Sequence, residues 1–504
     1  MNKLKKSKTG LIILCQILAL AIVAGTFLGF RPFYYNNIYM APVPQNLSTP
    51  SSGTHEYIYG DFYVSPDGND SAAGTAEFPF ATIARAKKAA KQLDRNYRNH
   101  IVIALMAGVY ELDELKFTEK DSGKEKCRMI FSAYGNGEVV LSGTDVVFDG
   151  AQYITLSNIT VSGGQIRVES KNVDISGCTV KNSPVVGIAA NGSNISISGC
   201  TVYKTGSSAV TLSGGNTKKL TSGNVVFENS LVYDSSLSDK LSPAVVISGA
   251  GNVCANNEIV RTPGCAVYYS GNNHRIDYNY IHNVLLESDG MAAVASPDGW
   301  VNYGNLVRYN CISTIGSGKN SPVGVAPASG TQVRGNVFIN IPGTGVDFRG
   351  GRDIELSNNL LINCKTPIFY ESITVKGERF EQNGTAWQEL ENSPRMSDKW
   401  KQSYPQIASL SDNFSDTSSP YFAANPTGSV IQDNIILHTK ADLGTIDEKA
   451  GKMSRVANNH LLKLTQTDMF TDAKNGDYTI DHENANAKPY ENFRNIPFDS
   501  IGRY

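Results

Sequence analysis

Short runs in which every second residue is apolar recur along most of this chain. Ile188/Ala190, Val210/Leu212, Val245/Ile247, Val267/Tyr269, Val346/Phe348 and Ile368/Tyr370 each flank one other residue, the spacing that sends both side chains to the same face of a strand. A second pattern accompanies them: Asn or Cys, any residue, then an aliphatic or aromatic one. It occurs at Cys178, Cys200, Asn229, Asn257, Asn279, Asn310, Asn336 and Asn359, with intervals of 22, 29, 28, 22, 31, 26 and 23 residues, and returns at Asn434 and Asn459. A period of about 20–30 residues built on short β-type runs marks a solenoid, in which each repeat is one coil. The expected fold is all-β, a parallel β-helix, with Asn side chains stacked at one corner as an amide ladder.

If the paired apolar residues point inward, those between and after them point outward in two columns. One column is expected to run Ala189, Thr211, Val246, Tyr268, Val294, Ala326, Asp347, Phe369, and the other Ser213, Ser248, Ser270, Ser296, Ala328, Arg349, Glu371. Ahead of the coils, Ile83, Ala86, Ala90 and Leu93 have helical spacing. An amphipathic helix there would cover the open end of the solenoid, where apolar side chains and strand edges are otherwise bare. The first coil is expected at Ile101–Met106. Residues 373–428, with Trp387, Trp400 and Tyr404-Pro405, break the period, and an excursion of that length reads as a loop lying over one face. Residues 57–504 thus form one β-helix domain, with 57–100 as its cap and 429–504 as its last coils and tail.

The first residues differ. Lys3, Lys5, Lys6 and Lys8 lie in a basic flank, 1–10, ahead of Leu11–Phe30, whose only strongly polar member is Gln16. Twenty apolar residues suit one membrane span better than the roughly 7–15-residue core of a cleaved signal. Val23-Ala-Gly25 matches a cleavage site only loosely. The expectation is a single-pass anchor with the flank inside, the body exported and residues 31–56 a tether. The alternative is secretion after cleavage.

With 45 basic and 47 acidic residues among 504 and a net charge near −2, the chain has no electrostatic footprint for nucleic acid. The eight cysteines of an exported protein raise disulfides. Cys178 and Cys200 share one ladder position, however, and read better as small buried hydrophobes in a stack. Asp67, Asn69 and Asp70 have the look of an incomplete calcium loop, but no Glu closes it and a turn is the better reading. No His/Cys/Asp set has zinc-ligand spacing, and no metal is expected. His274 and His282 read as corner residues, and Arg352 beside Asp353 as the close of a turn between coils.

From residue 57 onward the chain resembles the right-handed parallel β-helix proteins of the pectate-lyase superfamily, and more narrowly proteins related to glycoside hydrolase family 141. The likeness rests on Tyr63-Val-Ser-Pro-Asp-Gly-Asn-Asp70, Asp289-Gly290, Gly304-Asn305-Leu-Val-Arg-Tyr-Asn310, Gly350-Gly-Arg-Asp353 with Asn358-Asn359, and Ile496-Pro-Phe-Asp-Ser-Ile-Gly502. It implies a carbohydrate-directed protein with a polysaccharide or glycan as partner. Relatives usually carry an Asp-Asp pair where this chain has Val325 and Ala326, so of the acids the resemblance implies only Asp289 is present.

Glycosidic cleavage uses two carboxyls, about 6.5–9.5 Å apart in inverting enzymes. Asp347 lies two coils, roughly 9–10 Å along the axis, from the strand after Asp289. Asp289 and Asp347 are therefore the candidate catalytic pair, and Arg349, Glu371, Tyr268, Trp300, Tyr303 and Phe369 the candidate substrate-binding residues. Two alternatives stand beside this reading. One is a glycan-binding surface protein without catalysis. The other is a polysaccharide lyase or C5-epimerase, the only reading under which calcium would be a cofactor.

Overall fold

A computed structural model describes residues 40–45, 47, 59–96, 99–316, 325–326, 329–373 and 378–504. The expected anchor, Leu11–Phe30, lies outside them. Among the described residues no helix is long and apolar enough to cross a membrane.

The body, Val43–Tyr504, is a parallel β-helix in which each full coil contributes three short strands. The first strip stacks Val210, Val245, Val267, Val294, Val325, Val346, Ile368 and Gly444 in register. The second stacks Asp277, Arg308, Arg334, Ser357, Gln432 and Ala457. The third stacks Thr201, Leu231, Glu258, Tyr280, Cys311, Val337, Leu360, Ile435 and His460. All six alternating pairs point inward and are at most 1% exposed, so one apolar column runs the length of the solenoid. Helix α1, Ile83–Ala90, is capped by Thr82, whose hydroxyl accepts from the Arg85 amide, and it buries Ile83, Ala86 and Ala90 on the first coil. Asp70 accepts from the amides of Ala81 and Thr82 and from the Thr82 hydroxyl, so the Asp67–Asp70 segment is a turn that fastens the cap.

The ladder forms between the second and third strips. Each Asn donates its side-chain amide to the side-chain oxygen of the next: Asn257 to Asn279 at 3.1 Å, Asn279 to Asn310 at 2.9 Å, and on through Asn336, Asn359, Asn434 and Asn459. The residue ahead of each rung has positive φ: Gly177 and Gly199, then Asn229, Asn256, Tyr278, Tyr309, Gly335, Asn358, Asp433 and Asn458. Asn229 is thus a bend residue and not a rung. Ser230 holds the rung, its hydroxyl accepting from the Cys200 amide while its own amide donates to Asn257. Asn suits both places, since its short polar side chain tolerates the left-handed region. Cys178 and Cys200 are free, buried thiols, pushed up in pKa by burial, Cys178 to about 12.

A second ladder, not legible as a repeat, runs at the corner before the second strip: the Val225 amide donates to Asn252, the Asn252 amide to His274 Nδ1, and the His274 amide to Asn305. Since Nδ1 accepts, Nε2 carries the hydrogen and donates to the Ser270 carbonyl at 2.9 Å. Burial lowers the His274 pKa to about 4, so it is a neutral corner residue.

The first strip departs from expectation at one place. Val294 pairs with Val267 and is fully buried, and Ala295 pairs with Tyr268. The outward column therefore has Ala295, not Val294, after Tyr268, and resumes at Asp347 and Phe369; the strand ends at Ala295 before it reaches Ser296. The run Met291-Ala-Ala-Val-Ala295 is apolar throughout, so alternation does not fix its parity, and a one-residue slip exchanges the faces.

The excursion folds on itself. Helices α2 (Thr385–Glu391), α3 (Asp398–Ser403) and α4 (Pro405–Ala408) enclose Trp387, Leu390, Trp400, Tyr404, Ile407 and Phe422 in a separate apolar cluster. It is pinned to the coils by Trp400 Nε1 donating to the Thr217 carbonyl at 2.9 Å and by the Tyr404 hydroxyl donating to Asn273 at 2.7 Å. Arg352, 4% exposed, pairs with Asp353 at 2.9 Å and reaches the Phe422 carbonyl. It closes the turn, as expected, and also holds the excursion.

Candidate functional site

Asp347 lies on the strand Val337–Arg349 at the outward parity, between Val346 and Phe348, which point into the core. It is nonetheless only 4% exposed. Two turns rise beside the first strip, Gly290–Ala292 ahead of the strand Val294–Ala295 and Ser296–Gly299 after it. With Tyr268, Ser329, Asp347 and Arg349 they line a cavity of about 280 Å³. Gly350 and Gly290, at φ +76° each, are also in its wall.

Arg349 Nε donates to Asp347 at 3.0 and 3.3 Å. Its side chain is 59% exposed, and its guanidinium lies 5.5 Å from the centre of the Phe369 ring. Burial pushes the Asp347 carboxyl up to about 6; Arg349 acts against that rise, while Glu371 and Asp298 add to it. Glu371 is the register neighbour of Arg349 one coil on and is exposed. Tyr268, half-buried in the cavity wall, has a hydroxyl raised in pKa by burial and then by Asp298.

Asp298 was not among the residues singled out. It sits in Pro297-Asp-Gly299, where the sequence signals only turn chemistry. It lines the same cavity as Asp347, and its charge raises the Asp347 pKa. A second cavity of about 470 Å³ shares Pro297 and Asp298 with the first and is bounded by Arg379 and Glu389. Arg379 pairs with Glu389 at 3.0 Å and donates to the Asp298 carbonyl at 2.6 Å. Together the two cavities form a cleft of mixed polar and apolar lining that leads from the first strip toward the excursion.

The structure thus joins Asp347, Arg349 and Tyr268 in one cavity, with Phe369 and Glu371 one coil on. Asp289 is exposed on the turn, adjacent in the chain to the cavity-lining Gly290. Trp300 and Tyr303 lie elsewhere: each is 1% exposed within the excursion's apolar cluster. Trp300 packs on Trp387 and Phe380; Tyr303 donates to Asp353 at 2.6 Å. Their rings have no open face for a sugar, because the excursion covers them. His282 pairs with Glu258, which also binds Arg503 of the tail, so it serves docking of the C-terminus. Among the described residues no group of three or more His, Cys, Asp or Glu is placed to hold a metal ion.

A buried carboxyl raised to about 6 beside a second carboxylate is able to give and take a proton in an open cleft. Coils, inward columns and ladders define the class: a parallel β-helix with an open cleft on one strip. A family model described as a right handed beta helix region matches residues 125–286 and 187–361, and the chain has the right-handed parallel β-helix fold. It is 27% identical over 263 residues to the uncharacterized protein YwoF of Bacillus subtilis (strain 168), and spans about half the length, 50%, of that curated relative. It is similar to the PL6 family polysaccharide lyase Pedsa3628 from Pseudopedobacter saltans, with a TM-score of 0.52 and 12% identity over 88% of this chain and 99% of that one. A mutant of the PL6 family alginate lyase AlyGC gives a TM-score of 0.55 at 12% identity over 84% of this chain and 57% of that one. At such identity these likenesses define the fold.

Proposed function

We propose that this protein is directed at a carbohydrate, that its cleft takes a glycan chain, and that Asp347 transfers a proton at the glycosidic bond. The observation that carries the reading is the burial of Asp347 in an otherwise solvent-open cleft, with its carboxyl raised to about 6. A carboxyl that keeps its proton close to neutral pH suits a general acid. The second carboxyl is Asp298, which shares the cavity, or Asp289 on the adjoining turn. Arg349 holds the Asp347 carboxyl in place, and Tyr268 and Phe369 offer ring faces to sugar C–H groups. Polysaccharide-acting β-helices of the same fold support a glycan as the ligand, and the likeness to family 141 supports hydrolysis.

One observation favours a second reading, glycan binding without cleavage: Val325, the register neighbour of Val346, and Ala326 after it form the strand where relatives usually carry acids. Placement at the cell membrane, through Leu11–Phe30 as an anchor, completes the proposal.

Incubation of the protein with a panel of neutral and uronic glycans discriminates. New reducing ends that vanish in Asp347→Asn support hydrolysis. Unsaturated, ultraviolet-absorbing ends would assign a lyase. Retention of a glycan without products would assign a binding protein.

A further inference from the structure

The outward face of the second strip carries a charge pattern that the cleft does not use. Asp277, fully buried, neutralises two arginines: Arg275 at 2.7 Å and Arg308, one coil on, at 3.1 Å. Arg334 follows Arg308 in the same column, so its guanidinium stands roughly 4.8 Å further along the stack, beyond the reach of a second buried Asp. Its neighbours in register are Ser357 and then Gln432.

Arg334 lines a cavity of about 400 Å³ together with Arg455 and Arg494. None of these three arginines makes an ion pair with a carboxylate of the described residues. Arg494 comes from the C-terminal tail and is fixed in place: Asn358 accepts from the Arg494 amide at 2.6 Å and donates to the Arg494 carbonyl at 2.8 Å. The tail therefore builds one wall, and it continues along the corner to Gly502, whose amide donates to the Tyr278 carbonyl. The cavity also holds Gln432 and Asp433, whose Oε1 and Oδ1 are buried without a hydrogen-bond donor. Buried acceptors left so are uncommon and cost about 1–3 kcal/mol each. Glu355, on the rim, is engaged by the Ser357 hydroxyl at 2.6 Å.

Three unpaired guanidinia call for an oxyanion, and two buried acceptors call for hydroxyl donors. We propose that this cavity is a second, non-catalytic binding site for an acidic saccharide, a polyhydroxylated unit bearing a carboxylate or a phosphate. The guanidinia of Arg334, Arg455 and Arg494 take the oxyanion, as arginine forks do; Gln432 and Asp433 take hydroxyls. The choice of a saccharide as carrier rests on the glycan-directed reading of the cleft. The anion site itself does not.

The test is calorimetric titration of the protein with a glucuronate oligosaccharide, a sugar phosphate, their neutral counterparts and inorganic phosphate. Wild type is compared with Arg334→Gln/Arg455→Gln, with Arg494→Gln alone and with Asp347→Asn, each checked to be folded by a cooperative thermal transition. The expected result is salt-sensitive binding of a uronate or a sugar phosphate, not of its neutral counterpart, weakened at least tenfold in both arginine variants and kept in Asp347→Asn. The uronate and phosphate arms decide which oxyanion is taken. The proposal is overturned if no probe binds, if neutral sugar or inorganic phosphate binds as well as the acidic saccharide, or if affinity falls only in Asp347→Asn. In that last case the anion occupies the first cleft.

Discussion

Asp347 is a carboxylate held where it weakens the fold, and Asp347→Asn measures by how much. Burial raises its pKa from an ordinary 3.8 to about 6. At about 1.36 kcal/mol per pH unit that is roughly 3 kcal/mol against the ionised folded form, and solvent in the open cavity screens part of it, leaving about 1–3 kcal/mol. Because folding raises this pKa, the folded chain holds the proton more tightly than the unfolded one. The penalty is absent at pH below 3.8, where both states are protonated, grows as pH rises through the interval, and is complete above about 6. Asn keeps the shape and removes the charge. It also removes the Arg349 pair, but an arginine side chain 59% exposed loses at most about 1 kcal/mol with its partner. The variant should therefore be more stable than wild type by about 1–2 kcal/mol at pH 7.5, seen as a melting temperature higher by roughly 1–4 °C. At pH 3.5 the advantage should disappear. Scanning calorimetry at the two pH values reads both. A variant that melts lower at pH 7.5, or a gain that persists at pH 3.5, would refute the burial argument.

Further outcomes follow from the same structure. Asn310→Ala leaves the Asn279 amide and side chain, and the Ile276 carbonyl, without their partners at 2.8–2.9 Å. It should cost about 2–5 kcal/mol in urea unfolding, whereas Asn229→Gly, at the positive-φ bend, should cost under about 1 kcal/mol. Ile501→Ala, in the fully buried anchor of the tail, should speed amide exchange of residues 493–504 while leaving the coils protected. The buried thiols of Cys178, Cys200, Cys254, Cys265, Cys311 and Cys364 should resist a thiol reagent in native buffer and react on unfolding; prompt native reaction would contradict their burial.

The coils were readable because a strand repeats every two residues and each inward pair is bounded by a polar corner. Parity failed where alternation vanished, at Met291–Ala295, and the rung failed at Asn229, because Asn serves equally as rung and as left-handed bend. The site was half legible. Asp347 and Arg349 follow from register alone, since stacking sets their neighbours. Asp298 does not, because it lies on a turn whose height above the strip is not written in any period. Trp300 and Tyr303 sat close to the cleft in sequence, yet the excursion's own core claims them. Such a core is assembled from residues far apart in the chain, and no local pattern announces it. The carboxylate–guanidinium stack of Asp277, Arg308 and Arg334 was visible only once the coils had a register.

The central claim, that Asp347 gives a proton to a glycan held in the cleft, is tested most directly by the pH dependence of kcat/KM on whichever glycan of the panel is cleaved. That quantity reports ionisations of the free protein. The account predicts a rate that falls as pH rises through about 6, and a limb that is gone, with most of the rate, in Asp347→Asn. Cleavage that keeps its rate and its profile in Asp347→Asn would contradict it.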